Sequence, residues 1–168
     1  MNAVSFCTPE YERFVPLWEA ACEKHGFAPN VIRRPSRGGY DGNTNLKPGA
    51  ILEACDTVGE FAYFDIDCIP TGPFAFSIPR CIGTVKSVHP HHKCKIASSL
   101  LFVGAKGRPL IERWNILCDA NPTRRDHPLL IQAIRECGKQ MNIRDMTRYC
   151  AGKWAFNALN PEKVTFAS

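Results

Sequence analysis

Residues 61–67 read FAYFDID, a short apolar run that ends in two acids one residue apart. A run of this length and composition predicts a buried strand. Buried strands seldom stop on two carboxylates unless something compensates the charge, because an uncompensated ionised group is costly to desolvate. In an open α/β sheet, ligands bind at the carboxyl ends of the strands. Because side chains alternate along a strand, Asp65 and Asp67 should lie on the same side of the pleat.

The two acids suggest a metal site. Hard oxygen ligands at a strand end suit Mg²⁺ or Mn²⁺, which commonly share their coordination with substrate phosphates. The alternative is a solvated loop in which Asp67 only caps a turn, since Asp-x-Asp is a common pattern. The stretch by itself leaves both interpretations open.

The bulk properties predict one globular domain, residues 1–168, that is a monomer or a small homo-oligomer. The first residues carry no basic segment followed by a long apolar one, and no run approaches the roughly eighteen apolar residues of a membrane span. We therefore expect a cytoplasmic protein with no membrane segment. Nine cysteines without a Cys-x-x-Cys pair fit a disulfide framework poorly and predict reduced thiols. A net charge of +5 fits a pocket for an anionic substrate or weak attraction to nucleic acid.

The rest of the chain alternates predicted strands and helices. Strands are expected at residues 4–7, 30–33, 81–88, 96–103 and 141–144, and helices begin near residues 16, 47, 108 and 126. This alternation predicts an α/β fold with a mostly parallel, Rossmann-like sheet flanked by helices. Residues 34–45 predict a long glycine-rich loop whose arginines, Arg37 among them, could hold a diphosphate. The alternative for that loop is a solvent-exposed connection.

A cluster of soft-metal ligands follows the predicted strand at 81–88. It contains His89, His91, His92 and Cys94. These side chains suit zinc, but four ligands so close in sequence rarely wrap one tetrahedral ion. A loop of histidines at the mouth of the site is the favoured interpretation.

The order of these segments resembles the GT-A class of nucleotide-sugar glycosyltransferases. Four segments carry the resemblance, and together they span residues 4 to about 135. They are the first strand and turn (VSFCTPEY, 4–11), the lysine-bearing segment NLKP (45–48), the Asp-x-Asp strand YFDIDCIP (63–70), and the succession SSLLF (98–102), Trp114 and DHPLL (126–130).

The resemblance implies transfer of a sugar from a nucleotide diphosphate sugar, with UDP the first nucleotide to consider, in a reaction that requires Mn²⁺ or Mg²⁺. Asp67 would ligate the metal, and Asp65 would hold the ribose or the metal. Asp126 would be the general base if the enzyme inverts, although it is equally well explained as a helix cap. The implied donor-binding residues are Thr8, Tyr11, Arg37, Lys47, Asp65, Ser98 and Ser99.

Three departures from the class stand out. A further metal ligand, commonly histidine, is usual near the C-terminus, but no histidine follows His127, so Asn157, a main-chain oxygen or water would complete the shell. Position 127 is histidine where glutamine or glutamate is usual. The chain is also short for the class, which favours a large acceptor bound on an open face.

Two other functions compete with this interpretation. A Mg²⁺-dependent nucleotidyltransferase usually carries a glycine-rich basic loop after its first strand, whereas the turn here reads CTPE (7–10). A non-catalytic nucleic-acid-binding module would use the Arg33-Arg34 and Arg124-Arg125 pairs, but no nucleic-acid motif accompanies them. The ideas also combine, because a small basic glycosyltransferase could act on a modified base in DNA.

Overall fold

The structure is a computed structural model that describes residues 1–86, 96–137 and 141–160. The strands are β1 (Asn2–Cys7), β2 (Ala28–Arg33), β3 (Phe61–Phe64), β4 (Ile69–Pro70), β5 (Ile82–Lys86), β6 (Ile96–Val103), β7 (Ile143–Asp145) and β8 (Trp154–Ala155). The helices are α1 (Val15–Lys24), α2 (Gly39–Thr44), α3 (Lys47–Thr57), α4 (Arg108–Asp119), α5 (Asp126–Cys137) and α6 (Thr147–Cys150), and a 3₁₀-helix (Pro9–Phe14) precedes α1.

The main sheet has the strand order β2-β1-β3-β6-β5-β7. Neighbouring strands are parallel in the pairs β1/β2, β1/β3 and β5/β7, while β6 is antiparallel to both β3 and β5. The predicted mostly parallel α/β sheet is therefore confirmed. Since β6 runs the other way, its first residues lie at the edge where β1 and β3 end.

Both faces of the sheet are covered by apolar side chains. Phe64 packs with Trp18 of α1 on one face, and Tyr63 packs with Trp114 of α4 on the other. All four side chains are fully buried. Burial on both faces explains why the central strands read as nearly continuous apolar runs rather than alternating ones.

Two local predictions were wrong. Residues 34–45 are not a loop throughout, because α2 lies within them, and the preceding segment is tied down where Asn43 Oδ1 accepts hydrogen bonds from the Arg37 amide and the Ser36 hydroxyl. The acids do not continue the pleat of β3, because Asp65 opens a turn in which the Cys68 amide donates to the Asp65 carbonyl at 2.8 Å. The cluster at His89–Cys94 lies outside the described residues.

The C-terminal segment docks next to the acidic turn. Strand β8 pairs antiparallel with β4, which follows that turn directly. The Leu159 amide donates to the Asp67 carbonyl at 3.1 Å, and the Asn157 amide contacts Cys68 Sγ at 3.5 Å. The C-terminal segment therefore packs on the body of the domain. None of the helices in the described ranges has the length and apolar character of a membrane span.

Candidate functional site

An open pocket lies where β1 and β3 end. The residues that line it are Phe6, Thr8, Tyr11, Tyr40, Asn43, Thr44, Lys47, Asp65, Ile66 and Asp67. Of the predicted site residues, Thr8, Tyr11, Lys47, Asp65 and Asp67 are thus brought together. Their positions match the rule that ligands bind at the carboxyl ends of strands in an open α/β sheet.

Lys47 bridges two carboxylates at the base of this pocket. Its ammonium lies 2.8 Å from Asp65 Oδ1 and 3.0 Å from Asp126 Oδ2. Lys47 and Asp126 are the first residues of α3 and α5, and Asp65 directly follows β3. The Lys47 side chain is 4% exposed, that of Asp126 7%, and that of Asp65 25%. Three separate elements therefore meet at one buried cation.

The charges of this cluster support each other. Burial alone would lower the pKa of Lys47, but the carboxylates of Asp126 and Asp65 outweigh burial and raise the pKa above its ordinary value. Tyr63 donates a hydrogen bond to Asp65 Oδ1 at 2.8 Å. Burial and the neighbouring Asp65 charge raise the pKa of Tyr63, so the phenol stays protonated as a donor. Asp65 Oδ1 therefore has two donors.

Two side chains from other elements hold the start of α5. Trp114 Nε1 donates to the Asp126 carbonyl at 2.9 Å in a buried contact. Asn45, just before α3, donates from Nδ2 to the carbonyls of Asn121, Pro122 and Arg124, the last at 2.8 Å. Asp126 Oδ2 itself makes the ion-pair contact with Lys47 but no well-directed hydrogen bond among the described residues. Its position depends on the backbone around it.

Asp67 follows Asp65 in the turn, and its carbonyl accepts from the Leu159 amide of the C-terminal segment at 3.1 Å. The residue is 2% exposed and lines the pocket. Within residues 1–86, 96–137 and 141–160 there is no group of three or more His, Cys, Asp or Glu side chains positioned to hold a metal. Asn157, 8% exposed and at φ +51°, is brought close by its contact with Cys68. The C-terminal segment thus brings the backbone of Asn157 and Leu159 next to Asp67 and Cys68.

Thr8 offers a hydroxyl to the pocket. The hydroxyls of Ser36 and Thr8 lower the pKa of Glu10 to about 2. By geometric criteria the buried Thr8 Oγ1 has no hydrogen-bond partner in the part of the chain that the structure describes, although Glu10 is close enough to be influenced by it. A hydroxyl in a pocket wall can both donate and accept a hydrogen bond.

Neither a protein-family model nor a curated protein sequence matches the chain. Several solved structures, however, match its fold. A glycosyltransferase involved in glycosylating the major capsid of PBCV-1 aligns at a TM-score of 0.66 and 14% identity, over 96% of this chain and 98% of its own. A Drosophila β-1,4-galactosyltransferase 7 variant was solved with manganese, UDP-Gal and xylobiose. It aligns at a TM-score of 0.55 and 15% identity, over 98% of this chain and 74% of its own. The GlyE glycosyltransferase of Streptococcus pneumoniae TIGR4 aligns at 0.59 and 13%, over 86% of this chain but only 45% of GlyE.

The chain has the GT-A glycosyltransferase fold. Within the GT-A sheet, Ser98 and Ser99 lie on β6 next to β3, and the Asp65 amide donates to the Ser99 carbonyl at 3.0 Å. Ser99 is 3% exposed and, two residues before Leu101, faces the layer of α3, α4 and α5. Neither serine lines the pocket. The Ser99 carbonyl anchors the turn that carries the acids.

Arg37 and Asp126 also lie outside the pocket lining of the GT-A domain. The Arg37 guanidinium is half-exposed and 3.7 Å from the Asp119 carboxylate. His127, the unusual residue after Asp126, has Nε2 at 2.6 Å from the Ile96 carbonyl. Because a carbonyl only accepts, Nε2 carries the proton, and His127 ties α5 to the start of β6.

Tyr63, Tyr40 and Asn43 are among the site residues that the sequence did not predict. Tyr63 donates to Asp65, and its place two residues before that acid was a usable signal. Tyr40 lines the pocket while 50% exposed, with the Arg125 guanidinium 5.6 Å from its ring centre. Asn43 also lines the pocket and lies in the segment predicted to be a loop. Nothing local to Tyr40 or Asn43 identifies them, because α2 brings them to the site.

Proposed function

We propose that this chain is a metal-dependent glycosyltransferase that moves a sugar from a nucleotide diphosphate sugar, with UDP the first nucleotide to test, to an acceptor hydroxyl. The observation that carries the proposal is the buried Lys47 ammonium that joins Asp65, at the pocket, to Asp126 at the start of α5. Such a cluster is costly to maintain and is typical of functional sites. The GT-A fold of glycosyltransferases, one of them solved with manganese and UDP-Gal, supports the same conclusion.

The residues present fit a divalent cation held between protein and substrate. Asp67 supplies a hard carboxylate oxygen in the pocket wall, and Asn157 can supply an amide oxygen from the docked C-terminal segment. A site with few protein ligands suits Mg²⁺ or Mn²⁺, because these ions share their coordination with substrate phosphates. When bound, the ion would act as a Lewis acid that neutralises charge on the leaving diphosphate.

Asp65 and Lys47 are assigned to orienting the donor. Asp65 Oδ1 already accepts from Tyr63 and Lys47, so its remaining oxygen is left for a ribose hydroxyl or the metal. The Lys47 ammonium makes ion-pair contacts with both carboxylates and also lines the pocket. We assign its positive charge to a donor phosphate there. Thr8, with its unsatisfied hydroxyl, and Tyr11 are assigned to the base or ribose.

Asp126 is our candidate for the group that takes the acceptor proton. Its carboxylate lies 3.0 Å from the Lys47 ammonium, which fixes the position of Oδ2 next to the residue assigned to the donor phosphate. The carboxylate is 7% exposed and outside the pocket lining, so an acceptor would have to approach it from the α5 side of Lys47. Asp126 therefore combines the proposed catalytic role with a positional one.

The binding-module alternative loses support from the surface charges. Arg33 pairs with Glu12 at 2.9 Å, Arg34 with Glu53 at 2.6 Å, and Arg125 with Asp41 at 3.2 Å. These arginines are thus mostly neutralised by acids, whereas a nucleic-acid interface needs a continuous basic stripe.

The proposed function is tested by donor turnover. Purified protein is incubated with a panel of nucleotide sugars and Mn²⁺, and the released nucleoside diphosphate is measured with and without EDTA. Metal-dependent release from one donor, abolished in Asp67→Ala with the fold intact, is the expected result. Asp56→Ala, at an exposed acid that pairs with Arg108, is the matched control. Turnover by Asp67→Ala equal to wild type would contradict the assignment.

A further inference from the structure

Two arginines outside the donor pocket converge on one phenol oxygen. Arg144, in β7, donates from Nη2 to Tyr149 Oη at 3.4 Å, and Arg148, in α6, donates to the same oxygen. Their Cζ atoms lie 5.7 and 4.6 Å from the centre of the Tyr149 ring. Both guanidiniums are exposed to solvent. Two delocalised cations therefore point at one place on the surface.

The base of this arginine pair is fixed by the core. The Tyr149 ring packs on Phe76, with centroids 5.7 Å apart, and Phe76 packs on the buried Phe102. Met146, at the start of the turn between the two arginines, is 1% exposed and donates from its amide to the Thr84 carbonyl at 2.7 Å. The two guanidiniums are thus mounted on a rigid platform, which lowers the entropic cost of binding a ligand.

The positive charge of the pair is not compensated by an acid in the described ranges. Arg144 and Arg148 form no ion pair with a carboxylate there, unlike Arg113, which pairs with Glu136. The neighbouring acid, Asp145, interacts with other residues. Hydrogen bonds from Thr147 lower the pKa of Asp145, and the Lys86 ammonium, 3.7 Å away, lowers it further. The guanidiniums of Arg148 and Arg144 lower the pKa of Tyr149, so the field at this oxygen favours negative charge.

The arginine pair lies on the same sheet edge as the donor pocket. Strands β5 and β7 run in the direction of β1 and β3, so α6, which follows β7, lies at the edge where β3 delivers Asp65. From Tyr149 the chain reaches Asn157, beside Cys68, in eight residues. Eight residues span at most about 28 Å. An extended acceptor can therefore contact the pair while its other end is at the donor.

We propose that Arg144 and Arg148 bind an anionic group, a carboxylate or a phosphate, carried by a glycan acceptor. This inference rests on the proposed glycosyltransferase function. The guanidinium fork matches both anions in bidentate geometry, and two forks converging on a point suit a single anionic substituent. A nucleic-acid backbone would instead require a row of unpaired cations, and Arg33, Arg34 and Arg125 are paired with acids.

The test follows the arginine Nε–Hε signals by NMR at low salt, assigned with Arg144→Gln and Arg148→Gln. The probes are inorganic phosphate, an oligogalacturonate as the carboxylate probe, and a neutral malto-oligosaccharide of equal length. We expect the Arg144 and Arg148 signals to move with at least one anionic probe and not with the neutral one. The anion that binds tighter identifies the substituent. Arg144→Gln/Arg148→Gln should bind it at least about tenfold more weakly.

The control is Arg113→Gln, which removes one positive charge from an arginine that already pairs with Glu136. It should leave probe affinity within about twofold of wild type. Arg148→Lys keeps the charge but loses the fork, and should fall between wild type and the double variant. The substituted arginines are exposed, so thermal unfolding should show that all variants fold.

The site is refuted if wild-type signals do not move with either anion, or if the double variant binds as tightly as wild type. Tighter binding of a thymidine oligonucleotide than of oligogalacturonate at these arginines would overturn the glycan assignment. A parallel measurement of donor binding distinguishes failure of the anion site from failure of the proposed glycosyltransferase function. Thermal stabilisation of the double variant by the nucleotide sugar and Mn²⁺ should equal that of wild type. Absence of stabilisation in wild type with every nucleotide sugar would instead count against the function itself.

Discussion

Lys47 and Asp126 form a buried ion pair between the first residues of two helices, with Nζ and Oδ2 3.0 Å apart. The same ammonium contacts Asp65 at 2.8 Å, so the donor pocket and the start of α5 share one cation. Removing one partner of a buried pair leaves an uncompensated charge, which is far costlier than losing a surface pair. This cluster therefore links the stability of the fold to the proposed chemistry.

Lys47→Met should reduce the free energy of unfolding by about 3–5 kcal/mol, as measured by urea denaturation at neutral pH. Arg113→Met, which breaks an exposed pair with Glu136, should cost less than about 1 kcal/mol. Because the folded pKa of Lys47 is raised, its stabilisation is fully present below the unfolded lysine pKa of about 10.4 and is lost as the pH rises toward the folded pKa. The wild-type advantage should stay level between neutral pH and about pH 10 and shrink above it. A loss as small as that of Arg113→Met would contradict the buried cluster.

Asp126→Asn distinguishes a general base from a purely structural carboxylate. Loss of the base should lower kcat about 10²–10⁴-fold, a larger factor than any rise in the donor dissociation constant that a displaced Lys47 causes. A structural role alone would instead weaken donor binding through a displaced Lys47 and leave kcat nearly intact. Steady-state kinetics with calorimetric donor titration separates the two. Wild-type kcat in Asp126→Asn would remove the base assignment.

Arg37→Ala should weaken donor binding about tenfold or more if its guanidinium reaches the diphosphate, because a charge-assisted hydrogen bond is lost. Its contact with Asp119 is half-exposed and 3.7 Å long, so stability should change by less than about 1 kcal/mol. Calorimetry with the donor and Mn²⁺ measures the first effect, and urea denaturation the second. An unchanged donor dissociation constant would take Arg37 out of the site.

The buried cysteines should be unreactive in the native protein. Burial raises the pKa of Cys22 and of Cys118 to about 12, and both are fully buried. At pH 8 about one in 10⁴ of such thiols is ionised, against about one in four at an ordinary pKa of 8.5. Mass spectrometry after iodoacetamide treatment should find both unmodified, and modified once guanidinium unfolds the chain. The partly exposed Cys81 and Cys137 are the internal comparison, and labelling of Cys22 or Cys118 as fast as these would contradict the packing.

The main elements could be predicted because the central strands are buried on both faces and three of the helices carry proline in their first turn. Residues 61–64 and 96–103 are uninterrupted apolar or small-residue runs, and these runs match β3 and β6. Pro16, Pro48 and Pro109 occupy the first turns of α1, α3 and α4, where the missing N–H has no cost. The short elements α6, β4 and β8 were not predicted, and neither was α2, whose glycines have low intrinsic helix propensity.

The candidate site could be predicted only in part. Asp65, Asp67, Thr8 and Lys47 line one pocket, as expected, but the partners of Lys47 come from positions far along the chain. Asp126 lies 79 residues after Lys47 in the sequence. Local sequence patterns contain no information about such a pairing, because it arises when α3 and α5 pack on one face of the sheet.

A thermal-shift screen of nucleotide sugars with and without Mn²⁺ tests whether the protein binds a nucleotide sugar in a metal-dependent way. A ligand at 100 times its dissociation constant should stabilise the native state by about 2.7 kcal/mol, which corresponds to a rise in Tm of about 5–10 °C. We predict that one nucleotide sugar, with UDP-sugars tested first, gives such a rise only with Mn²⁺ or Mg²⁺, and that Asp67→Ala abolishes it. If no nucleotide sugar raises the Tm, with or without the metal, the proposed metal-dependent donor binding is contradicted.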